Sequence, residues 1–239
     1  MVEILTWDTA FFGRKIGMLT GELRSRVAVA DELDRARRED FAYLICRPPV
    51  DDGLAIHTLE QAGFYLTDVG VTWVSDAGRY LAGATSPRLV RHATEADLPL
   101  LTGEAVKLFR RSRFYSDPFF SEAEADRLHV AWLENSVAGK AANAVLIIPD
   151  AGFVTCKLTK DGAGEVPLIG VWEQSRRRGA GRELMTSAIE WFATQGVKTV
   201  RVKTQVKNLR AMNFYHRLGF DIDSMDMTMG CRLSGGDAK

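Results

Sequence analysis

The stretch Leu168-Ile169-Gly170-Val171-Trp172-Glu173-Gln174-Ser175-Arg176-Arg177-Arg178-Gly179-Ala180-Gly181-Arg182-Glu183-Leu184 constrains this chain more than any other. Its apolar start reads as a buried strand, and its arginines and glycines read as a loop. From Gly181 a helical pattern runs to Thr194, with Leu184, Ala188, Trp191 and Phe192 on one face. A strand that delivers a basic, glycine-bearing loop onto a helix start builds an anion site. The first turn of a helix has unpartnered N–H groups, and the macrodipole adds partial positive charge there. Glycines at 179 and 181 remove the Cβ atoms that would hold a phosphate off the backbone. Arg176, Arg177 and Arg178 add charge and side-chain donors.

Two familiar glycine-loop readings fail on spacing. A phosphate loop of the G-x-x-x-x-G-K-[ST] type needs a Lys-Ser/Thr pair that does not follow Gly181. A dinucleotide fingerprint needs a third glycine where Glu183-Leu184 stands. The loop's basic character also stands out against a neutral chain. Lys plus Arg and Asp plus Glu each number 31, for a formal net charge of zero, which argues against a nucleic-acid partner. Three arginines are too short a run to read as a targeting patch.

The 239 residues can form one large domain or two small ones. Residues 80–87 (YLAGATSP) read as a linker, dividing a small N-terminal α/β domain, 1–80, from a second domain, 88–239. In the first, Phe41–Cys46 reads as a buried strand stopped by Pro48-Pro49, Leu54–Gln61 as a helix stopped by Gly63, and Phe64–Val74 as a strand. In the second, strands are expected at Arg88–Arg91, Ala144–Pro149, Gly152–Leu158, Glu165–Val171 and Thr199–Gln205. Helices are expected from Thr94, over Ala125–Gly139 and over Asn208–Leu218, with a last strand through Met229. Together these make a mixed α/β sheet, largely antiparallel with one strand–helix–strand unit near the end. Gln61-Ala62-Gly63-Phe64 is echoed by Arg217-Leu218-Gly219-Phe220. Cys46, Cys156 and Cys231 lack C-x-x-C spacing and read as buried small hydrophobes of a reduced compartment. With neither a signal pattern nor a long apolar run, the expected location is the cytoplasm.

R-x-x-G-x-G beginning five residues beyond Val171 resembles the acetyl-CoA motif of GNAT acetyltransferases. About thirty residues on, Asn208, Ala211, Phe214-Tyr215 and Gly219-Phe220 match a second signature of that superfamily. The resemblance covers roughly residues 88–232 and implies a GNAT fold that uses acetyl-CoA as cosubstrate, with no metal. It implies that backbone groups of Ile169, Gly170 and Val171 bind the pantetheine arm where two strands splay apart. The N–H groups of Arg177 through Ala180 and Gly181 to Arg182 would hold the pyrophosphate, Asn208 would fix the cofactor, and the Tyr215 hydroxyl would face its sulfur as the catalytic group. A neutral amine then attacks the thioester. A phenol near 10 cannot easily protonate a thiolate near 8.5, so Tyr215 acts by hydrogen-bonding the developing charge.

Leu5 to Gly13 (LTWDTAFFG), Ser112-Arg113-Phe114-Tyr115 and Trp132 to Val137 (WLENSV) resemble one subgroup, the dTDP-fucosamine (dTDP-4-amino-4,6-dideoxy-galactose) acetyltransferases of surface-polysaccharide assembly. That subgroup pairs a GNAT domain with a smaller, truncated GNAT-like domain before it. The resemblance implies a nucleotide-linked amino sugar as acceptor, with Arg113, Phe114 and Tyr115 as candidate contacts for its base and diphosphate. Asp68, Glu173 and His129 are candidate bases. Expected partners are this small molecule and, at most, a second copy of the chain in a homodimer; nucleic acid and membrane are not among them. The alternatives are a GNAT enzyme for another amine (a protein N-terminus, a lysine or an antibiotic) and a non-catalytic acyl-CoA-binding module. Retention of Asn208 and Tyr215 argues against the last.

Overall fold

A computed structural model describes residues 1–81 and 90–233. In chain order the elements are β1 (Val2–Ile4), α1 (Thr6–Phe12), β2 (Ile16–Leu19), α2 (Arg26–Arg38), β3 (Tyr43–Cys46), α3 (Gly53–Gln61), β4 (Tyr65–Asp76) and α4 (Ala77–Leu81). After the break come β5 (Arg91–His92), α5 (Leu98–Leu108), α6 (Arg113–Ser116), α7 (Glu122–Val137), β6 (Ala144–Ile148) and β7 (Gly152–Leu158). The last are β8 (Gly164–Val166), β9 (Ile169–Val171), α8 (Ala180–Thr194), β10 (Thr199–Gln205), α9 (Leu209–Arg217) and β11 (Asp221–Arg232). Most of the expected linker lies outside the described residues; its first residue, Tyr80, belongs to α4. The first strand of the second segment forms at Arg91–His92, and the rest of the expected Arg88–Arg91 strand is largely outside as well.

The strands form one mixed sheet in the order β1-β2-β3-β11-β4-β10-β8-β7-β6-β5, with β9 paired to β7 off this path. The sheet therefore runs across both segments of the chain. Two strand–helix–strand units interlock at its centre, β3-α3-β4 and β10-α9-β11, each inserting its second strand beside that of the other. The echo seen in the sequence lies at matching points of these units. Asp52 and Asn208 cap α3 and α9 by accepting from the N–H groups of Ala55 and Ala211. Gly63 and Gly219 take φ of 90° and 82°, a left-handed turn that glycine enters without a Cβ penalty. Phe64 and Phe220 then donate back to Leu59 and Tyr215, at 2.9 and 3.1 Å.

Helices cover both faces. Leu184, Ala188 and Phe192 of α8 pack with Tyr215 of α9 on Val71, Trp73, Val200 and Val202. Strand β10 alternates as expected, burying Val200, Val202 and Thr204. On the opposite face, Leu101 and Ala105 of α5 and Leu133 of α7 pack on Val145, Ile147 and Phe153. Helix α7 opens with a reciprocal Ser121–Glu124 capping box. Short elements such as α6, β1, α1 and β2 carry no clear period in the sequence and are set by packing, whereas α2 buries Val29, Leu33 and Ala36 at helical spacing behind a Ser25 cap. The three cysteines are buried and free, and burial pushes the thiols of Cys46 and Cys156 up to about 11 and about 12. Among the described residues, no helix is long and apolar enough to cross a membrane.

One expected element needs correction. Residues 165–171 do not form a single strand but the end of β8 and then β9. Pro167 has no N–H to give the ladder, and Leu168 instead donates to the Thr155 hydroxyl at 2.9 Å. Strand β8 pairs in parallel with β10 at Val200–Val202. Past the break, β9 follows β7 alone, so the sheet opens between β9 and the end of β10.

Candidate active site

A cavity of about 1200 Å³ occupies this opening. Leu168 and Trp172 direct their backbone groups to β7, through Thr155 N–H to Leu168 O and Trp172 N–H to Ala151 O, both at 2.8 Å. Strand alternation then turns the N–H and C=O groups of Ile169 and Val171 to the open side. Among the described residues this is an unpaired strand edge, of a kind that accepts an extended amide-bearing chain. Gly170 is required on the other side of β9: a Cβ there would come 2.6 Å from Leu108 Cδ1 and 2.9 Å from Phe153 Cε1.

The arginine–glycine loop forms the next part of the wall. Arg177 takes φ 63° and Gly179 φ 89°, and Gly179 is the residue that starts α8. Two left-handed residues on either side of Arg178, followed by a helix start, curl main-chain N–H groups toward one region. Arg182 and Glu183 N–H close onto Gly179 O at 2.9 and 3.1 Å. Among the described residues, the N–H groups of Arg177, Gly179, Ala180 and Gly181 have no hydrogen-bond partner. Of the expected run from Arg177 to Arg182, these four N–H groups are open, while the Arg182 N–H is taken up by Gly179. Gly181 has a second reason to be glycine: a Cβ would sit 3.2–3.3 Å from the Phe214 ring, where α8 meets α9. Arg176, Arg177 and Arg182 line the cavity, and Arg176 also reaches Glu173, Nη1 to Oε1, at 3.3 Å.

Helix α9 closes this side. The Asn208 side-chain oxygen accepts from Ala211 N–H at 3.3 Å, and its amide donates to Thr204 Oγ1 at 3.4 Å, a long contact that leaves the NH₂ for a ligand. Tyr215 lines the cavity and is 3% exposed, between Trp73 and Phe220. Burial pushes its pKa upward, so its hydroxyl is protonated throughout the physiological range.

Outside the arginine–glycine loop and α9, the same cavity is lined by Trp7, Asp8, Arg47, Asp68, Arg113 and Lys203. Asp117 organises this end. It accepts the hydroxyls of Tyr43 and of Tyr65, the latter at 2.9 Å, and the Phe119 N–H at 3.0 Å. These bonds tie the segment after α6 to β3 and β4 and so place Arg113. Asp68 is 9% exposed; burial raises its pKa, against the pull of Lys207, 3.9 Å away.

The structure separates the remaining sequence candidates. Arg113 and Phe114 line the cavity, but Phe114 is 5% exposed within a cluster including Phe12 and Phe120. Tyr115 donates to Asp126 at 2.6 Å and stacks on His129. His129 donates from Nδ1 to Ala125 O at 2.6 Å, and burial lowers its pKa, which keeps it neutral. Glu173 is solvent-exposed and paired with Arg176. Among the described residues, no group of three or more His, Cys, Asp or Glu side chains could hold a metal ion. Trp7, Asp8 and Arg47 escaped the sequence reading as site residues; the only signal was the aromatic, acidic segment Trp7–Phe12.

Residues 99–220 match the model of the "Acetyltransferase (GNAT) family". The chain is 27% identical to a dTDP-fucosamine acetyltransferase of Escherichia coli O6:H1 over 93% of its own length and 94% of the relative's. It is 28% identical to the spore coat polysaccharide biosynthesis protein SpsD of Bacillus subtilis over 47% of this chain and 39% of that protein. Among solved structures, a GCN5-related N-acetyltransferase from Sphaerobacter thermophilus superposes with a TM-score of 0.64 at 13% identity, covering 100% of this chain and 78% of that one. This last likeness speaks for the fold alone.

Proposed function

The chain belongs to the acetyltransferase (GNAT) family and is an acetyl-CoA-dependent N-acetyltransferase, and from that premise we propose that its acceptor is the amine of a nucleotide-linked amino sugar, a dTDP-4-amino-4,6-dideoxyhexose. The observation that carries this reading is the lining of the cavity, which holds Arg47 and Arg113 in the same wall system as Tyr215 and the arginine–glycine loop. Guanidinium groups favour an acceptor carrying phosphate and disfavour one with several positive charges, such as a cationic antibiotic. The similarity to the E. coli dTDP-fucosamine acetyltransferase over nearly the full length of both chains supports the same class. The similarity of part of the chain to the spore coat polysaccharide biosynthesis protein SpsD supports a polysaccharide setting.

The residues divide the work as follows. Ile169 and Val171 hold the pantetheine amides, with Gly170 keeping the strand close to its neighbours. The N–H groups of Arg177, Gly179, Ala180 and Gly181 hold the pyrophosphate, with Arg176, Arg178 and Arg182 adding charge, and the Asn208 amide steadies the arm. The amine attacks the thioester carbonyl, and coenzyme A departs as thiolate. Tyr215 donates a hydrogen bond to the developing sulfur charge; its raised pKa makes full proton transfer unfavourable, so stabilisation is its main role. Asp68, its basicity raised by burial, takes the amine proton directly or through water. Arg113 contacts the acceptor's phosphate, and Phe114 and Tyr115 hold that arginine's helix in place.

The test is acetyl transfer from acetyl-CoA to dTDP-4-amino-4,6-dideoxyhexoses, followed by release of coenzyme A thiol. Turnover with at least one stereoisomer is expected, at a KM well below that for the free amino sugar. No turnover with any of them would reject the acceptor class and leave the acetyltransferase standing.

A further inference from the structure

The ring expected to stack on the acceptor's base, Phe114, has no free face. It packs edge-on against Phe120 and Trp132, with ring centroids 4.9 and 5.7 Å away. The Arg113 guanidinium lies 4.0 Å over it. Trp7, on α1 of the N-terminal segment, is different. It lines the cavity and is 42% exposed, with its indole laid flat along Phe11 at a centroid distance of 5.1 Å and an interplanar angle of 11°. A tryptophan braced from behind by a second ring is a preformed platform for a planar group.

Beside Trp7 in the same wall are Asp8, Arg47 and Arg113. The guanidiniums of Arg47 and Arg113 lie in each other's field, and the Asp8 carboxylate feels both. Among the described residues, none of the three makes an ion pair, and Nη1 of Arg113 is buried without a hydrogen-bond partner. Two like charges brought together, one with a buried donor unsatisfied, are unfavourable for the protein alone. A dianionic ligand with several acceptor oxygens removes both penalties at once, and guanidinium forks match phosphate geometry. Asp117 and Asp8 temper the repulsion, yet neither hydrogen-bonds Nη1.

We propose that Trp7, Arg47 and Arg113 form a nucleoside-diphosphate subsite, with the base stacked on Trp7 and the two phosphates held by the guanidiniums. The subsite rests on the acceptor reading above and refines it. It assigns a binding role to the N-terminal segment, which supplies two of the three residues and stands outside the matched family region.

Calorimetric titration of the full chain with dTDP, which carries no amine, tests the subsite apart from catalysis. Wild type should bind, and added salt should weaken binding. Trp7→Ala should raise the Kd about ten-fold, with Trp7→Phe recovering most of it. Arg47→Met and Arg113→Met should each raise it about ten-fold or more, all with unchanged acetyl-CoA affinity. Equal dTDP affinity in wild type, Trp7→Ala and Arg47→Met would overturn the subsite, and turnover of the dTDP-linked amino sugar by the same preparations would show that the acceptor class survives. Absence of both dTDP binding and turnover in wild type would overturn the subsite and the acceptor class together.

Discussion

The two ends of the cavity are built in opposite ways. The proposed cofactor site comes from one contiguous run, residues 168–182, completed by α9, and the groups assigned to it are mostly main-chain N–H and C=O. The proposed acceptor site draws Trp7 with Asp8, Arg47, Asp68 and Arg113 from four separate parts of the chain, and the groups assigned to it are side chains. A main-chain site depends on where the backbone runs and tolerates side-chain replacement. A side-chain site fails one residue at a time, and its specificity can change without disturbing the other end.

The sharpest way to break this contrast lies where the two ends meet. Tyr215→Phe is expected to lower kcat at least about 100-fold while leaving the acetyl-CoA Kd within two-fold, since the hydroxyl acts only as charge develops. Steady-state and equilibrium measurements together check it; an unaltered kcat would strip Tyr215 of its role.

On the acceptor side, Asp68→Asn should lower kcat/KM by roughly 10- to 100-fold at neutral pH. Burial raises this carboxyl above its ordinary range, so in wild type the base is lost as pH falls through the raised value, giving an acidic limb that the variant lacks. Stability has the opposite sign. A carboxyl with a raised folded-state pKa favours the fold below its unfolded value, near 3.9, and that contribution is lost as pH rises through the folded value. Asp68→Asn should therefore match or exceed the wild-type Tm at pH 7 while losing activity. A fall in both would mark Asp68 as structural.

On the cofactor side, the backbone should matter more than the charges. A Cβ on Gly152 would meet the Gly170 carbonyl oxygen at 2.2 Å and Val171 Cα at 3.0 Å, so Gly152→Ala must push β9 out of place. It should raise the acetyl-CoA Kd about ten-fold and cost about 1–3 kcal/mol of stability. Arg177→Ala removes one exposed charge and should change the Kd only about two- to three-fold, less at high salt. Calorimetry on both variants checks the order; the reverse order would mean that side-chain charge, not backbone position, makes the pyrophosphate site.

This contrast also explains what could be read in advance. The turn at Gly179, the α8 face of Leu184, Ala188 and Phe192, the alternation of β10 and the Asn208 cap are consequences of local periodicity and local backbone preference. The break at Pro167 was legible in principle, since proline cannot serve the ladder, but the apolar run on both sides masks it. Elements of the N-terminal segment such as α1 have too few residues to show a period. The candidates Phe114 and Tyr115 illustrate the remaining limit: their residue types suit base stacking, but packing against Phe120, Trp132 and His129 takes up their faces.

By itself, then, the sequence determined the strand–loop–helix that makes the anion cradle, because every group in it lies within a few residues of the next and glycine φ angles and helix starts are local matters. The tertiary structure alone decided the opening between β9 and β10, the interlocking of β3-α3-β4 with β10-α9-β11, and the meeting of Trp7, Arg47, Asp68 and Arg113 in one compartment. Those juxtapositions follow from sheet order and long-range burial, which bring together residues that no spacing along the chain connects.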